Sequence, residues 1–414
     1  MSSHAGAIDS PVRSARIALF TLTGVNLLNY LDRYLVAGIV APLESEFGAS
    51  KSDIGLLTSV FLLVYLLASP LIGLAAARWS RTAILGTGVL VWSVATIGSG
   101  FAHSMVQLLM ARAIVGLGEA AYSTVGPALL ADHYEPRRRP LALSIFYAAI
   151  PVGTALSYIV AGIICQSWGW RAVFYAGGVP GIALAIICSR LADPPRGQHD
   201  AVIADAGPAP PRRARRRTML AALARSRDFI MAVAGYAAFT FAFGALAVWL
   251  PDYLQTQRGW GVKSSTTLFG IVLVASGFAG TLGGGWLARR LGGGRRTSLL
   301  LCAGCMMVAI PATLAALYSE APWLIIAGLA VASTFSFATQ GPVNAVIVNS
   351  VDATTRPFAL GTSVLAIHLF GDVPSPWLIG AASDAGFGMT LAMSMVPCAM
   401  AVALAIWLVG GLRR

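Results

Sequence analysis

Residues 17–41 read IALFTLTGVNLLNYLDRYLVAGIVA, and inside this run Asn29-Tyr30-Leu31-Asp32-Arg33 sets an acid beside a base. The flanking residues are apolar enough to cross a bilayer, which takes about 20 mostly apolar positions. An ionisable group at that depth costs several kcal/mol unless it is paired or faces a polar cavity. The segment therefore predicts a membrane helix that carries charge for a purpose. The remaining spans are read as the walls, partners and gates of that pair.

The whole chain agrees with a membrane reading. Of its 414 residues 57% are hydrophobic and only 11% charged, with a mean hydropathy of +0.74. A soluble domain carries roughly a quarter charged residues, so this chain is too apolar to solvate its own surface. The fold class expected is an all-α integral membrane protein with twelve helices, at roughly 17–41, 53–77, 82–102, 105–131, 140–164, 171–191, 229–254, 265–288, 297–318, 322–349, 358–382 and 388–411.

The net charge of +12 follows topology. Arg13, Arg16, Arg78, Arg81, Arg137, Arg138, Arg139, Arg289, Arg290, Arg295, Arg296, Arg356, Arg413 and Arg414 fall in alternate loops. The opposite loops carry little beyond Lys51, Arg171, Arg258 and Lys263. This asymmetry puts both termini in the cytoplasm. No aromatic-interleaved basic patch is present, so nucleic acid is not an expected partner. Low Lys with high Arg and Ala suits a GC-rich bacterial genome, hence a multi-pass protein of the inner membrane. The first dozen residues lack the pattern of a cleaved signal, leaving the first span as its own signal. All five cysteines lie in apolar segments, and Cys302-x-x-Cys305 has no flanking ligands, so neither metal nor disulfide is expected.

Between the sixth and seventh spans, residues 193–228 include DPPRGQHD and GPAPPRRARRR. Rich in Pro and Arg, this stretch reads as a mobile cytoplasmic linker with a short surface helix near Met219–Leu223. Its Arg run suits a topology anchor touching anionic lipid. It divides the chain into an N-terminal six-helix bundle, 1–192, and a C-terminal one, 229–414. A weak repeat relates them: Gly73, Arg78 and Arg81 in the first half, Gly285, Arg289 and Arg290 in the second. Two six-helix bundles around a central cavity are a transporter layout, with substrate near the midplane.

The fourth span supplies partners for the opening pair. Arg112 and Glu119 are seven apart, on one helical face. Asp32 lies about 12 Å below the outer end of its span and Arg112 about 10 Å below its own, so the two can meet. Asp32 and Glu119 are candidate proton carriers. Arg33 and Arg112 tune them or hold an anionic headgroup, with Asn29 and Tyr30 alongside. The alternative is a permanent salt bridge that locks two helices. Gly116 and Gly118 permit close helix contact.

Other polar features have simpler roles. Asp132 and Glu135 pair with Arg137-Arg138-Arg139. Pro151 and Gly153 interrupt the fifth span as a hinge. Trp168-Gly169-Trp170-Arg171 marks the outer interface. Trp249, Pro251 and Asp252 read as an outer gate. His368 and Asp372, four apart on one face, either join the proton path, bind substrate or cap a Pro-broken helix.

Taken together, NYLDRY in the first span, RAIVGLGEAAYSTVGPALLAD in the fourth, SIFYAAIPVG in the fifth, WGWRAVF before the sixth and HLFGDVPSP in the eleventh resemble the spinster family of major facilitator transporters. The resemblance covers most of the chain. It implies a monomeric carrier, not an enzyme, that moves lysolipids or sphingolipids by alternating access. Protons are the coupling ion and there is no cofactor. It assigns charge-network roles to Asp32, Arg33, Arg112 and Glu119. An organic-anion or drug carrier on the same fold is the nearest rival, a non-transporting sensor a more distant one. One departure stands out. Major facilitators carry an Asp four residues after the loop Gly, where this chain has Ala77 and Arg289. Its absence predicts a weaker inner gate, or one built from Asp132 and Glu135.

Overall fold

A computed structural model describes residues 5–76, 78–135, 139–196, 221, 223–350 and 356–413. Ala77, Arg137, Arg138 and most of the linker, with most of its expected surface helix, lie outside the described residues. The rest is helical: α1 Ala5–Arg33, α2 Val40–Phe47, α3 Lys51–Ala76, α4 Arg81–Ser99, α5 Met105–His133, α6 Arg139–Ser189, α7 Arg227–Arg258, α8 Val262–Arg290, α9 Arg295–Tyr318, α10 Pro322–Ala338, α11 Gln340–Asn349, α12 Arg356–Ile367, α13 Ser375–Ala382, α14 Gly388–Met393 and α15 Met395–Leu412.

The sequence explains where several of these begin and end. Ser80, Ser104 and Ser226 each accept a hydrogen bond from the backbone N–H three residues on, capping α4, α5 and α7. Gly48 and Gly259, both at positive φ, end α2 and α7 as left-handed caps.

Among the described residues ten helices are long and apolar enough to span a bilayer. The twelve expected spans map onto these and two more. α1 is the first, its charges diluting its apolar character. α6 holds two, divided at Gly169, whose φ of 79° breaks the helix.

Three local expectations change. The first span is not continuous: α1 stops at Arg33, and a 3-10 turn, Leu35–Gly38, precedes α2. Pro151 does not interrupt its helix, because one missing N–H is tolerated there. Gly153 instead lets α6 approach α1, where a Cβ would lie 2.5 Å from the Leu27 carbonyl oxygen. The tenth span divides at Thr339 into α10 and α11.

Contacts group the chain into two compact units. One comprises residues 1–49, 60–204 and 262–270, the other 50–59, 205–261 and 271–414. α3 is thus shared, its residues 51–59 grouping with the second unit.

Candidate functional site

In the first unit the end of α1 delivers Asp32 and Arg33 to one face of α5. α5 can come close because Gly116 and Gly118 have no side chains. A Cβ on Gly116 would lie 2.4 Å from the Phe61 carbonyl oxygen of α3, and one on Gly118 2.7 Å from the Gly88 carbonyl oxygen of α4. Larger residues at either position would push the charged face of α5 away from its partners.

The four charges form two crossed pairs. Arg33 Nη2 donates to Glu119 Oε2 at 3.0 Å. Arg112 Nη1 lies 3.8 Å from Asp32 Oδ2, a looser contact. Thr96 of α4 donates to that same Oδ2 at 3.0 Å. Asp32, Arg112 and Glu119 are fully buried, so each depends on the others for compensation.

The break after α1 has a chemical use. The last carbonyls of a helix have no intrahelical partner, and Arg112 Nη2 donates to the Arg33 carbonyl oxygen at 3.3 Å. Arg112 thus serves both a carboxylate and a helix C-terminus, the negative end of its dipole. Rings complete the cage. The Arg33 guanidinium carbon lies 4.9 Å from the Tyr30 ring centroid and 5.0 Å from that of Tyr65. That of Arg112 is 4.7 Å from Phe61.

Much of this cluster's bonding capacity is unused. Asp32 Oδ1, Glu119 Oε1, Arg112 Nε and Nη1, and Asn29 Nδ2 are buried with no hydrogen-bond partner among the described residues. The arrangement can therefore accept a proton or an anionic group without first displacing a bond at those atoms.

Thr96, Phe61 and Tyr65 were not singled out from the sequence. Each is an ordinary residue of an apolar span, and no spacing marks it. The expected partners of Asp132 and Glu135, the side chains of Arg137, Arg138 and Arg139, lie outside the described residues. Asp132 forms an ion pair with Arg81 at the start of α4. Arg81 Nε also donates to Asp193 Oδ1 at 2.8 Å, and its Nη2 to the Pro194 carbonyl oxygen at 2.6 Å. Arg196 donates to the carbonyl oxygen of Ala76 at 2.6 Å. Carboxylates from α5 and from the segment after α6 thus meet on Arg81 at the start of α4. At the other end of the unit, Glu46 accepts from Trp170 Nε1 at 2.6 Å and pairs with Arg171, also at 2.6 Å. The Arg171 and Trp170 hydrogen bonds hold the Glu46 carboxyl below its ordinary range.

In the second unit His368 Nδ1 lies 2.9 Å from both carboxylate oxygens of Asp372. The two span a π-helical turn, His368–Asp372, that follows α12. Such turns often accompany functional sites. The start of α13 has no side-chain cap. Thr240 of α7 donates to the Ile367 carbonyl oxygen at 2.8 Å, and Gly244 lets Asp372 pack against α7. Asp252 is buried against Lys51 Nζ at 2.8 Å, while Trp249 Nε1 donates to the Pro376 carbonyl oxygen at 2.8 Å.

Apolar spans that enclose paired acids and bases define a class, the polytopic membrane carriers. The Major Facilitator Superfamily sequence model matches residues 22–373. Protein spinster homolog 1 of Homo sapiens is 33% identical over 406 residues, which cover 91% of this chain and 74% of that protein. A sphingosine-1-phosphate transporter of Mus musculus is 32% identical over 383 residues, 87% of this chain and 68% of that one. In fold, a bacterial homolog of the human lysosomal transporter spinster, crystallised inward-facing and unoccupied, superimposes with a TM-score of 0.84. The match covers 96% of this chain and 97% of that one at 22% identity. The chain belongs to the spinster family of the major facilitator superfamily. It is a multi-pass membrane transporter and not an enzyme.

Proposed function

We propose that this protein is a proton-coupled secondary transporter of amphiphilic, lysolipid- or sphingolipid-like substrates, working by alternating access as a monomer. The observation that carries the reading is the buried quartet Asp32, Arg33, Arg112 and Glu119, with its unused bonding capacity.

Within the quartet the two acids differ. Glu119 has a direct charge-assisted bond to Arg33, whereas Asp32 faces Arg112 at the longer distance and leans on a neutral hydroxyl. A proton arriving at Asp32 Oδ1 breaks no hydrogen bond and cancels the carboxylate charge paired with Arg112. The guanidinium is then free to bind an anionic headgroup. Loss of the proton restores the Asp32–Arg112 pair and competes the headgroup away. Glu119 and Arg33 form the second stage of the same exchange. His368 and Asp372, on the second unit, are a separate candidate for contact with substrate or proton. The lipid character of the substrate is supported by the similarity to the sphingosine-1-phosphate transporter of Mus musculus.

The same proposal assigns 1–192 and 229–414 as the two moving bodies, linked by 193–228. It places both termini in the cytoplasm of a bacterial inner membrane, on the Arg asymmetry of the loops. The test uses proteoliposomes that enclose a pH-sensitive dye. Adding a lysophospholipid or sphingoid phosphate should move protons in proportion to lipid moved. Proton movement driven instead by short-chain organic acids, with none from the lipids, would make it an organic-anion carrier.

A further inference from the structure

The loop that joins α8 to α9 takes no part in the charge quartet, and its chemistry is unlike that of its counterpart. Between α3 and α4, Arg81 is buried at 4% exposure and shared by Asp132 and Asp193. Between α8 and α9 the run RRLGGGRR, 289–296, is exposed throughout. Asp228 pairs there with Arg295 at 3.1 Å. Arg289, Arg290 and Arg296 have no acidic partner among the described residues. Arg289 also stands where the superfamily usually carries an acid.

Below this loop α8 presents one stripe. Phe278, Leu282, Trp286 and Arg290 follow at four-residue intervals, hence on one face. The three hydrophobic members are 44%, 70% and 51% exposed. The Arg290 guanidinium carbon lies 5.1 Å from the Trp286 ring centroid, so the charge is held against the ring that meets the interface. Gly292 and Gly293, at φ of 95° and 62°, turn the chain with no side chain to cover the guanidinium groups. From α8 outward the surface passes from alkyl to indole to cation. That is the order in which a phospholipid presents acyl chain, glycerol and phosphate.

We propose that Leu282, Trp286, Arg289, Arg290 and Arg296 form a seat for an anionic phospholipid. The phosphate lies on the arginines, and one acyl chain runs along Leu282 and Phe278. Charge complementarity selects the lipid, since no free carboxylate on the loop would receive the cation of a zwitterionic headgroup.

Thermal unfolding of the full chain in mixed micelles, titrated with phosphatidylglycerol, tests the seat, because a ligand of the folded state raises the melting temperature by mass action. The double variant Arg289→Gln/Arg290→Gln should need about 30-fold more lipid for half the effect, the combined contribution of two interfacial arginines. Arg78→Gln, in the corresponding first-half loop, should leave the titration unchanged, and phosphatidylcholine should give no shift. If the double variant folds poorly, salt added to the wild-type protein supplies the second arm. It should move the half-effect to higher lipid by screening. An unchanged half-effect in the double variant, a salt-independent one in the wild type, or equal stabilisation by phosphatidylcholine overturns the proposal.

Discussion

The two candidate charge sites, one in each unit, lie at different depths. In the first, Asp32, Arg112 and Glu119 are fully buried, and Arg33 reaches across 86 residues of sequence to Glu119. In the second, His368 and Asp372 keep 27% and 21% of their side-chain surface and pair within a single turn. Depth decides what each arrangement can do. A buried pair that joins distant segments resists change until one charge is removed, after which its partner is stranded. A half-buried pair within one turn can exchange its partner for water at little cost. The quartet is built to hold a charge state, the His368–Asp372 pair to adapt to one.

The sharpest way to break this contrast is to remove one acid from each unit. Glu119→Ala strands Arg33 in the buried cluster and should destabilise the protein by about 3–5 kcal/mol. Asp372→Ala should cost no more than about 1 kcal/mol. Denaturation of both variants in one detergent measures the difference, and equal losses would erase the distinction. A smaller effect isolates Asp32. Thr96→Val removes the hydroxyl that donates to it and should cost about 1.5–3 kcal/mol, the usual range for a hydrogen bond to a charged group. Proton-driven uptake should also respond to this variant at a shifted pH, since the hydroxyl stabilises the charged carboxylate more than the neutral acid.

The smallest expected effect lies at the membrane surface. Glu46 is held below its ordinary range by Arg171 and Trp170. A carboxylate depressed on folding contributes stability above its unfolded value of about 4.3 and loses it as pH falls through the folded value. The melting-temperature gap between wild type and Glu46→Gln should therefore be full near neutrality and close below about pH 4. The pair is well exposed, so added salt should shrink the gap at every pH.

Different parts of this arrangement were legible to different degrees. Apolar runs separated by alternating Arg-rich and Arg-poor loops read directly as spans, because lipid imposes that pattern on every helix. Depth arithmetic placed Asp32 within reach of Arg112. The crossing of the pairs, with Arg33 turning to Glu119, was not readable, since it depends on helix rotation and on the break after Arg33. Thr96 and Tyr65 resemble many other span residues until α3 and α4 are packed against α1. Pro151 was misread because proline breaks helices in water more reliably than in packed membrane helices. Arg81 was assigned only to topology, whereas its burial between two acids comes from contacts made by chain far away in sequence.

The central claim is that Asp32 carries the coupled proton while Arg112 trades it for an anionic headgroup. It is tested most directly by lipid uptake into proteoliposomes under an imposed pH gradient, comparing wild type with Asp32→Asn. The neutral amide preserves size and can still meet Thr96, so the variant should fold and bind lipid. The account predicts that it loses gradient-driven accumulation, falling to the level of protein-free liposomes, while lipid still raises its melting temperature. Accumulation at the wild-type rate and with the wild-type pH dependence would contradict the account.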